Sequence, residues 1–174
     1  MNTKLKELHQ LLTNFDTGML VTRTPQGFLT SRPMELQEPR PERALWIVTT
    51  ENTSSARNIA RNSVINLSFR RPKDQSWVSI AGRADLNSDA ELIERLWDRS
   101  WSAWIPDDMR SQAVLIEIEP YQIDFWEPEH GALGKIFEVA KAAATDSTPD
   151  LAPVKTLHID DSRLAAELCG ARDS

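Results

Sequence analysis

Arginine, proline and methionine stand in a row at Arg32, Pro33 and Met34, inside "LTSRPMELQ", a segment whose neighbours read as β structure. They offer a fixed cation, a backbone with no N–H to donate and a polarisable sulfur. The cation suits an anion, and the thioether suits a flat ring. Pro33 interrupts a β-ladder, which marks an edge or a bulge. A second dense segment is "WIVTTENTSSARNI". A strand ends there, hydroxyl side chains crowd a turn, and a helix begins. Backbone N–H groups at a helix start are unpaired and attract anions. Thr50, Thr53, Ser54 and Ser55 add hydroxyl donors, and Arg57 adds a cation in the first turn. Serine and threonine also gather at helix starts simply as caps, so this segment alone supports either reading. If "SRPM" and "VTT" lie on adjacent strands, Arg32 brings a second positive charge to the same place.

Other chemistries find less support. His9, His130 and His158 are far apart in sequence, with no partner at ligand spacing, which argues against a zinc or iron site. Cys169 lies near the tail, and no G-x-S-x-G is present. Glu117 and Glu119 alternate along one strand, a spacing that suits a solvated face better than a catalytic pair.

The chain has 174 residues, enough for one domain or one domain with an appendage. Its net charge of −6 disfavours general nucleic-acid binding, which needs many Lys and Arg contacts to phosphate. Arginines nevertheless cluster at positions 57, 61, 70 and 71, which leaves room for a local anion site. The single cysteine excludes an internal disulfide and fits a reducing compartment. "MNTKLKELHQLLTNF" lacks the uncharged apolar stretch of a secretion signal. The expectation is a cytoplasmic protein with no membrane span and no nucleic-acid partner.

The elements that would position these residues follow from periodicity. Residues 3–14 fit an amphipathic helix. Strands are expected over 18–23 and 28–36, joined by the turn "TPQG", then over 44–50, 64–70 and 76–86. Over 76–86, alternation puts Trp77, Ser79 and Ala81 on one face and Val78, Ile80 and Gly82 on the other. A helix over 88–101 starts with Ser88 as cap and Glu91 as its capping-box partner. Strands over 113–120 and 121–128 and a helix over 134–144 complete a domain spanning 1–145. Residues 146–174 read as a linker, a short strand and a short helix. No regular βαβ alternation and no Gly-rich loop after the first strand appear, so a Rossmann fold is not expected. The hairpin-linked strands predict a mainly β, α+β architecture, an antiparallel closed or split β-barrel flanked by short helices.

Over roughly residues 5–145 the chain resembles the pyridoxamine 5'-phosphate oxidase-like flavoproteins of the FMN-binding split-barrel type, in particular their general stress protein branch. The landmarks are "GMLVT", "SRPM", "LWIVTT", "VINLSF", "WVSIAGRADL", "LWDRSWSAWIP" and "IDFWEP", in that order. The resemblance implies a homodimer with flavin at the subunit interface. It implies that Arg32, Pro33 and Met34 line the flavin, and that Val48, Thr49 and Thr50 contact its ring and ribityl chain. Thr53, Ser54 and Ser55 would hold the phosphate, Trp77 would border the ring, and Trp126 would approach the flavin of the other subunit. Two departures stand out. The lysine usual at the helix start is replaced by Ser55, which leaves Arg57 or Arg32 to supply the cation. The segment "IPDDMRSQ" is shorter than the glycine- and aspartate-rich loop usual in that branch. The implied function is binding of FMN, with FAD as the alternative, in a flavin-dependent oxidoreductase. Two competing readings are a non-catalytic flavin-binding stress protein and a dimeric scaffold that has lost the cofactor. Oxidation of pyridoxamine phosphate itself is not expected, because no second basic set accompanies the acidic "FWEPEHG".

Overall fold

A computed structural model describes Leu12, Phe15 and residues 17–38, 45–73, 75–126 and 155–158 of the 174-residue chain. The strands are β1 (Thr17–Arg23), β2 (Leu29–Glu35), β3 (Leu45–Thr50), β4 (Val64–Arg71), β5 (Ser76–Asn87), β6 (Ala113–Trp126) and β7 (Lys155–His158). Two short helices are α1 (Ser54–Ile59) and α2 (Ala90–Leu96), and 3₁₀ turns cover Arg99–Ala103 and Asp107–Gln112. The helices expected over 3–14 and 134–144, and the one near the C-terminus, fall outside the described residues except for Leu12.

The strands form one antiparallel sheet in the order β2-β1-β4-β5-β6-β3, with β7 added beside β6. The sheet curls into a split barrel, and β2 and β3 are the two ends of its path. Gln37 N–H donates to the Trp46 carbonyl at 3.0 Å, so the ends meet just beyond β2. The register explains which side chains go inside. Gly18, Leu20 and Thr22 of β1 face inward opposite Met34, Arg32 and Thr30 of β2. Phe69, Leu67, Val78, Ile80, Ile47, Ile116 and Ile118 fill the interior with Leu20, and Met34 packs against them. Each such side chain, fully buried, contributes about 1.5–3 kcal/mol.

The outer faces of β3 and β6 are covered. Trp46, Ala113 and Leu115 pack there against Ile93 of α2 and against Trp101 and Ile105, with Val48, Trp97 and Met109 at the margin. The Trp101 ring meets Trp46 and Trp97 edge-on at 5.8 and 5.4 Å. Its indole N–H donates to Gln37 Oε1 at 2.7 Å, which ties this cap to the closing end of the barrel.

Three local departures from the sequence expectation have physical causes. The 88–101 segment is capped by Asp89, not Ser88: the Asp89 carboxylate accepts from the N–H groups of Glu91 and Leu92. The helix ends at Leu96 because Asp98 opens a new 3₁₀ turn, accepting from Ser100 N–H at 2.8 Å. The two strands expected over 113–120 and 121–128 are one strand, β6. Its register shifts where Ala81 and Gly82 meet Gln122 and Pro120, so a bulge absorbs the proline that marked a break in the sequence. Gly82 is required there, since a Cβ would sit 2.5 Å from the Glu119 carbonyl oxygen. The short strand expected near the C-terminus is β7, which pairs with Gln122–Phe125. Alternation in β5 follows the expectation, with Val78, Ile80 and Gly82 buried and Trp77 exposed. Among the described residues, no helix is long and apolar enough to cross a membrane.

Candidate functional site

The turn between β3 and α1 is built by hydroxyl groups. Thr53 is the N-cap: its Oγ1 accepts from Ala56 N–H and donates to the Thr50 carbonyl at 2.9 Å. Thr49 reaches the same hydroxyl at 3.3 Å. The turn is pinned from outside by Gln112, whose carbonyl accepts from Glu51 N–H and whose side chain accepts from Asn52. Arg57 folds back to donate to the Asn52 carbonyl. Thr53 is thus committed to the backbone, and Thr49, Thr50 and Ser55 are buried. Ser54 keeps its hydroxyl at the surface of this turn.

Across the split stands Arg32. Its place on β2 faces inward, opposite buried Leu20, where an apolar residue would continue the core. The arginine instead leans out over α1, and its Nε donates to Ser54 Oγ at 2.8 Å. Asn58, buried on α1, donates to Thr22 at 3.0 Å and to Thr30 at 3.5 Å, and so anchors the helix to the β1–β2 hairpin. The result is a cleft of about 300 Å³ between hairpin and helix. Thr30, Arg32, Ser54, Arg57, Asn58 and Arg61 line it, together with Thr24, Pro25 and Gln26 of the hairpin turn. The hairpin turn holds its shape because Gly27 takes φ +90° while Thr24 and Phe28 close the loop through their backbones.

The electrostatics of the cleft are one-sided. Arg32, Arg57 and Arg61 converge on it, and among the described residues no carboxylate forms an ion pair with any of them. The terminal guanidinium nitrogens of Arg32 likewise carry no hydrogen bond among the described residues. Guanidinium groups with a hydroxyl beside them match the oxygens of a phosphate or carboxylate, each charge-assisted bond contributing about 1.5–3 kcal/mol. The donor set fits a phosphate ester.

The residues singled out from sequence divide between several places. Arg32, Ser54 and Arg57 come together in the cleft. Thr49, Thr50, Thr53 and Ser55 form the turn beneath it. Pro33 lies opposite Met19 on the outer face of β2, an edge strand, and Met34 packs half-buried on the inner core. Val48 turns to the outer aromatic cluster. Trp77 and Trp126 are register partners on β5 and β6, away from the residues that line the cleft. Asn58, Thr30 and the hairpin turn were not singled out. Arg61 was visible only as one of four nearby arginines. The other two take different roles: Arg70 stacks on Trp77 at 5.3 Å and Arg71 on Phe15 at 4.9 Å. Trp101 packs in the outer cap, whereas Trp104 is exposed. Among the described residues no group of three His, Cys, Asp or Glu side chains is arranged for a metal ion.

Architecture and cleft together define an antiparallel split-barrel protein with a basic cleft at the split. The chain belongs to the pyridoxamine 5'-phosphate oxidase-like family, whose model matches residues 3–150. It is 26% identical to protein bli-3 of Neurospora crassa over 159 residues, 83% of this chain and 75% of that one. Among solved structures it is similar to one described as general stress protein 26 from Jannaschia sp. CCS1, with 25% identity, a TM-score of 0.63 and coverage of 91% of this chain and all of that one. It shares its fold with a pyridoxamine 5'-phosphate oxidase-related, FMN-binding protein from Nostoc punctiforme, at 13% identity and a TM-score of 0.57, covering 91% of this chain and 94% of that one.

Proposed function

We propose that this protein binds a phosphorylated flavin, FMN or alternatively FAD, with the phosphate in the cleft between Arg32 and α1, and that it acts as a flavin-dependent oxidoreductase. The observation that carries the reading is the convergence of Arg32, Arg57 and Arg61 on one cleft without a carboxylate partner among the described residues. Membership of the family and the FMN-binding Nostoc relative support it. The lysine usual at the helix start is absent, and two arginines flanking Ser54 stand in its place. Arg32 would orient the phosphate through its terminal nitrogens while Ser54 fixes its Nε. Met34 and the Thr49–Thr50 backbone lie on the strands leading from the cleft, where a flat ring would continue. The bound isoalloxazine would supply hydride or electron transfer, and the chain would supply position and electrostatics. We place a second copy of the chain against the open sheet face that carries exposed Met19 and Trp77, forming a homodimer with the flavin at its seam. A cytoplasmic location remains part of the proposal.

The test is a titration of the purified protein with FMN and with riboflavin, followed by flavin absorbance and fluorescence. FMN should bind more tightly than riboflavin, which lacks the phosphate. Arg32→Ala should weaken FMN at least about tenfold while leaving riboflavin unchanged. Equal binding of the two flavins, or an FMN isotherm untouched by Arg32→Ala, would sink the phosphate assignment. Stopped-flow reduction by NADH or NADPH then separates an oxidoreductase using these donors from a flavin carrier.

A further inference from the structure

Thr22 sits where the barrel interior would take an apolar side chain. It faces inward with Gly18 and Leu20 of β1 and is 3% exposed. A hydroxyl that deep needs a partner. The partner comes from α1: Asn58, itself 6% exposed, donates through Nδ2 to Thr22 Oγ1 at 3.0 Å and to Thr30 Oγ1 at 3.5 Å. Thr22 and Thr30 are register partners on β1 and β2, so one amide closes on both strands of the hairpin. Apolar side chains of the same shape would fill this space at little cost to stability. Packing alone therefore does not call for the pair.

A second contact joins the same two elements. Ser54 stands four positions before Asn58, on the same side of α1. Arg32 stands two positions after Thr30, on the same side of β2. Hairpin and helix are thus linked by two rungs, an inner one from Asn58 to the threonines and an outer one from Arg32 Nε to Ser54 Oγ at 2.8 Å. The inner rung is shut away from water, where a hydrogen bond is stronger. The outer rung lies at the surface and holds a long side chain with many rotamers. Ordering such a side chain at the moment of binding costs affinity, and ordering it beforehand saves that loss. With α1 fixed by the inner rung, Ser54 stands ready for Arg32 Nε, and the terminal nitrogens of Arg32 are left for an anion.

We propose that Thr22 and Asn58 are positioning residues for anion binding: the inner rung sets the gap between hairpin and α1 and so aims the terminal nitrogens of Arg32 at the phosphate. This deepens the phosphorylated-flavin reading and rests on it. Thr22 does not line the cleft and acts only through Asn58. The experiment titrates wild type, Thr22→Val, Thr22→Ser, Arg32→Ala and the double variant Thr22→Val with Arg32→Ala, using FMN and riboflavin, with unfolding midpoints as the control for intact structure. Thr22→Val should weaken FMN about threefold to tenfold and change riboflavin less than about twofold. Thr22→Ser keeps the hydroxyl and should bind FMN within about twofold of wild type. Once Arg32 is alanine, Thr22→Val should weaken FMN by less than about twofold, because the group it aims is gone. Asn58→Leu, close in size but without the amide, should repeat the Thr22→Val pattern and takes its place if that variant does not fold. If Thr22→Val leaves FMN untouched, weakens both flavins alike, or keeps its full effect without Arg32, the positioning role is overturned and the phosphorylated-flavin reading stands on Arg32→Ala. If Arg32→Ala itself leaves FMN unchanged, both fall.

Discussion

Arginines behave differently in two regions of this molecule. In the outer cap, Arg110 is spent on the fold: one terminal nitrogen bridges to Glu94 and the guanidinium lies over the Trp97 ring, 4.3 Å from its centroid, although its Nε has no hydrogen-bond partner among the described residues. In the cleft at the barrel split, Arg32, Arg57 and Arg61 point together, with a hydroxyl and a backbone carbonyl as their fixed partners. The cap satisfies its charge within the fold. The cleft leaves charge unneutralised among the described residues, in a chain whose net charge is −6. The contrast separates an arginine that holds structure from arginines that, under the proposed function, would hold a ligand. It also predicts that the two regions respond oppositely to mutation, in stability at one and in binding at the other.

The largest effect belongs to the cap. Trp101 is 2% exposed, touches two other indoles and bonds Gln37 across the barrel closure. Trp101→Ala should cost about 3–5 kcal/mol in denaturant unfolding; a loss below about 1 kcal/mol would mean that the cap does not hold the barrel end. Arg32→Ala should lose about 1.5–3 kcal/mol of flavin binding, yet its unfolding free energy should stay within about 0.5 kcal/mol of wild type. A large stability loss there would erase the distinction between the regions. Arg110→Ala should show the reverse pattern, with about 1 kcal/mol of stability lost through a partly exposed ion pair and ring contact and flavin affinity unchanged.

The smallest effect concerns Asp98, which starts the 3₁₀ turn carrying Trp101. The hydroxyl and backbone N–H of Ser100 hold its carboxyl below the ordinary aspartate range. A depressed pKa stabilises the fold above the unfolded value of about 3.9, and that contribution disappears as pH falls through the folded value. Asp98→Ala should therefore lower the midpoint slightly at neutral pH, and the gap to wild type should close in acid. A gap that persists at low pH would show that the carboxylate is not its source.

Much of the site's framework was legible because it is local. The hydroxyl-rich helix start supplies its own cap, which the structure fixes as Thr53 where the sequence left Asn52 or Thr53 open, the "TPQG" turn closes a hairpin, and Val78, Ile80 and Gly82 share a face, all through neighbours a few positions apart. The odd triplet at Arg32 correctly marked an edge strand, since a charge and a proline are poorly tolerated inside a paired sheet. The cap at Asp89 and the continuity of β6 were misread because a bulge and a competing acid override local rules.

What the sequence by itself determined is the set of strands, their buried faces and the family, because two-residue alternation and hairpin turns are written in adjacent residues. Only the tertiary structure decided which cations meet. Positions 57, 61, 70 and 71 form one cluster along the chain, yet curling of the sheet sends Arg70 to Trp77 and Arg71 to Phe15, while Arg32 crosses the split to Ser54, 22 positions away. Charge convergence depends on how distant edges close, and no local periodicity records that closure.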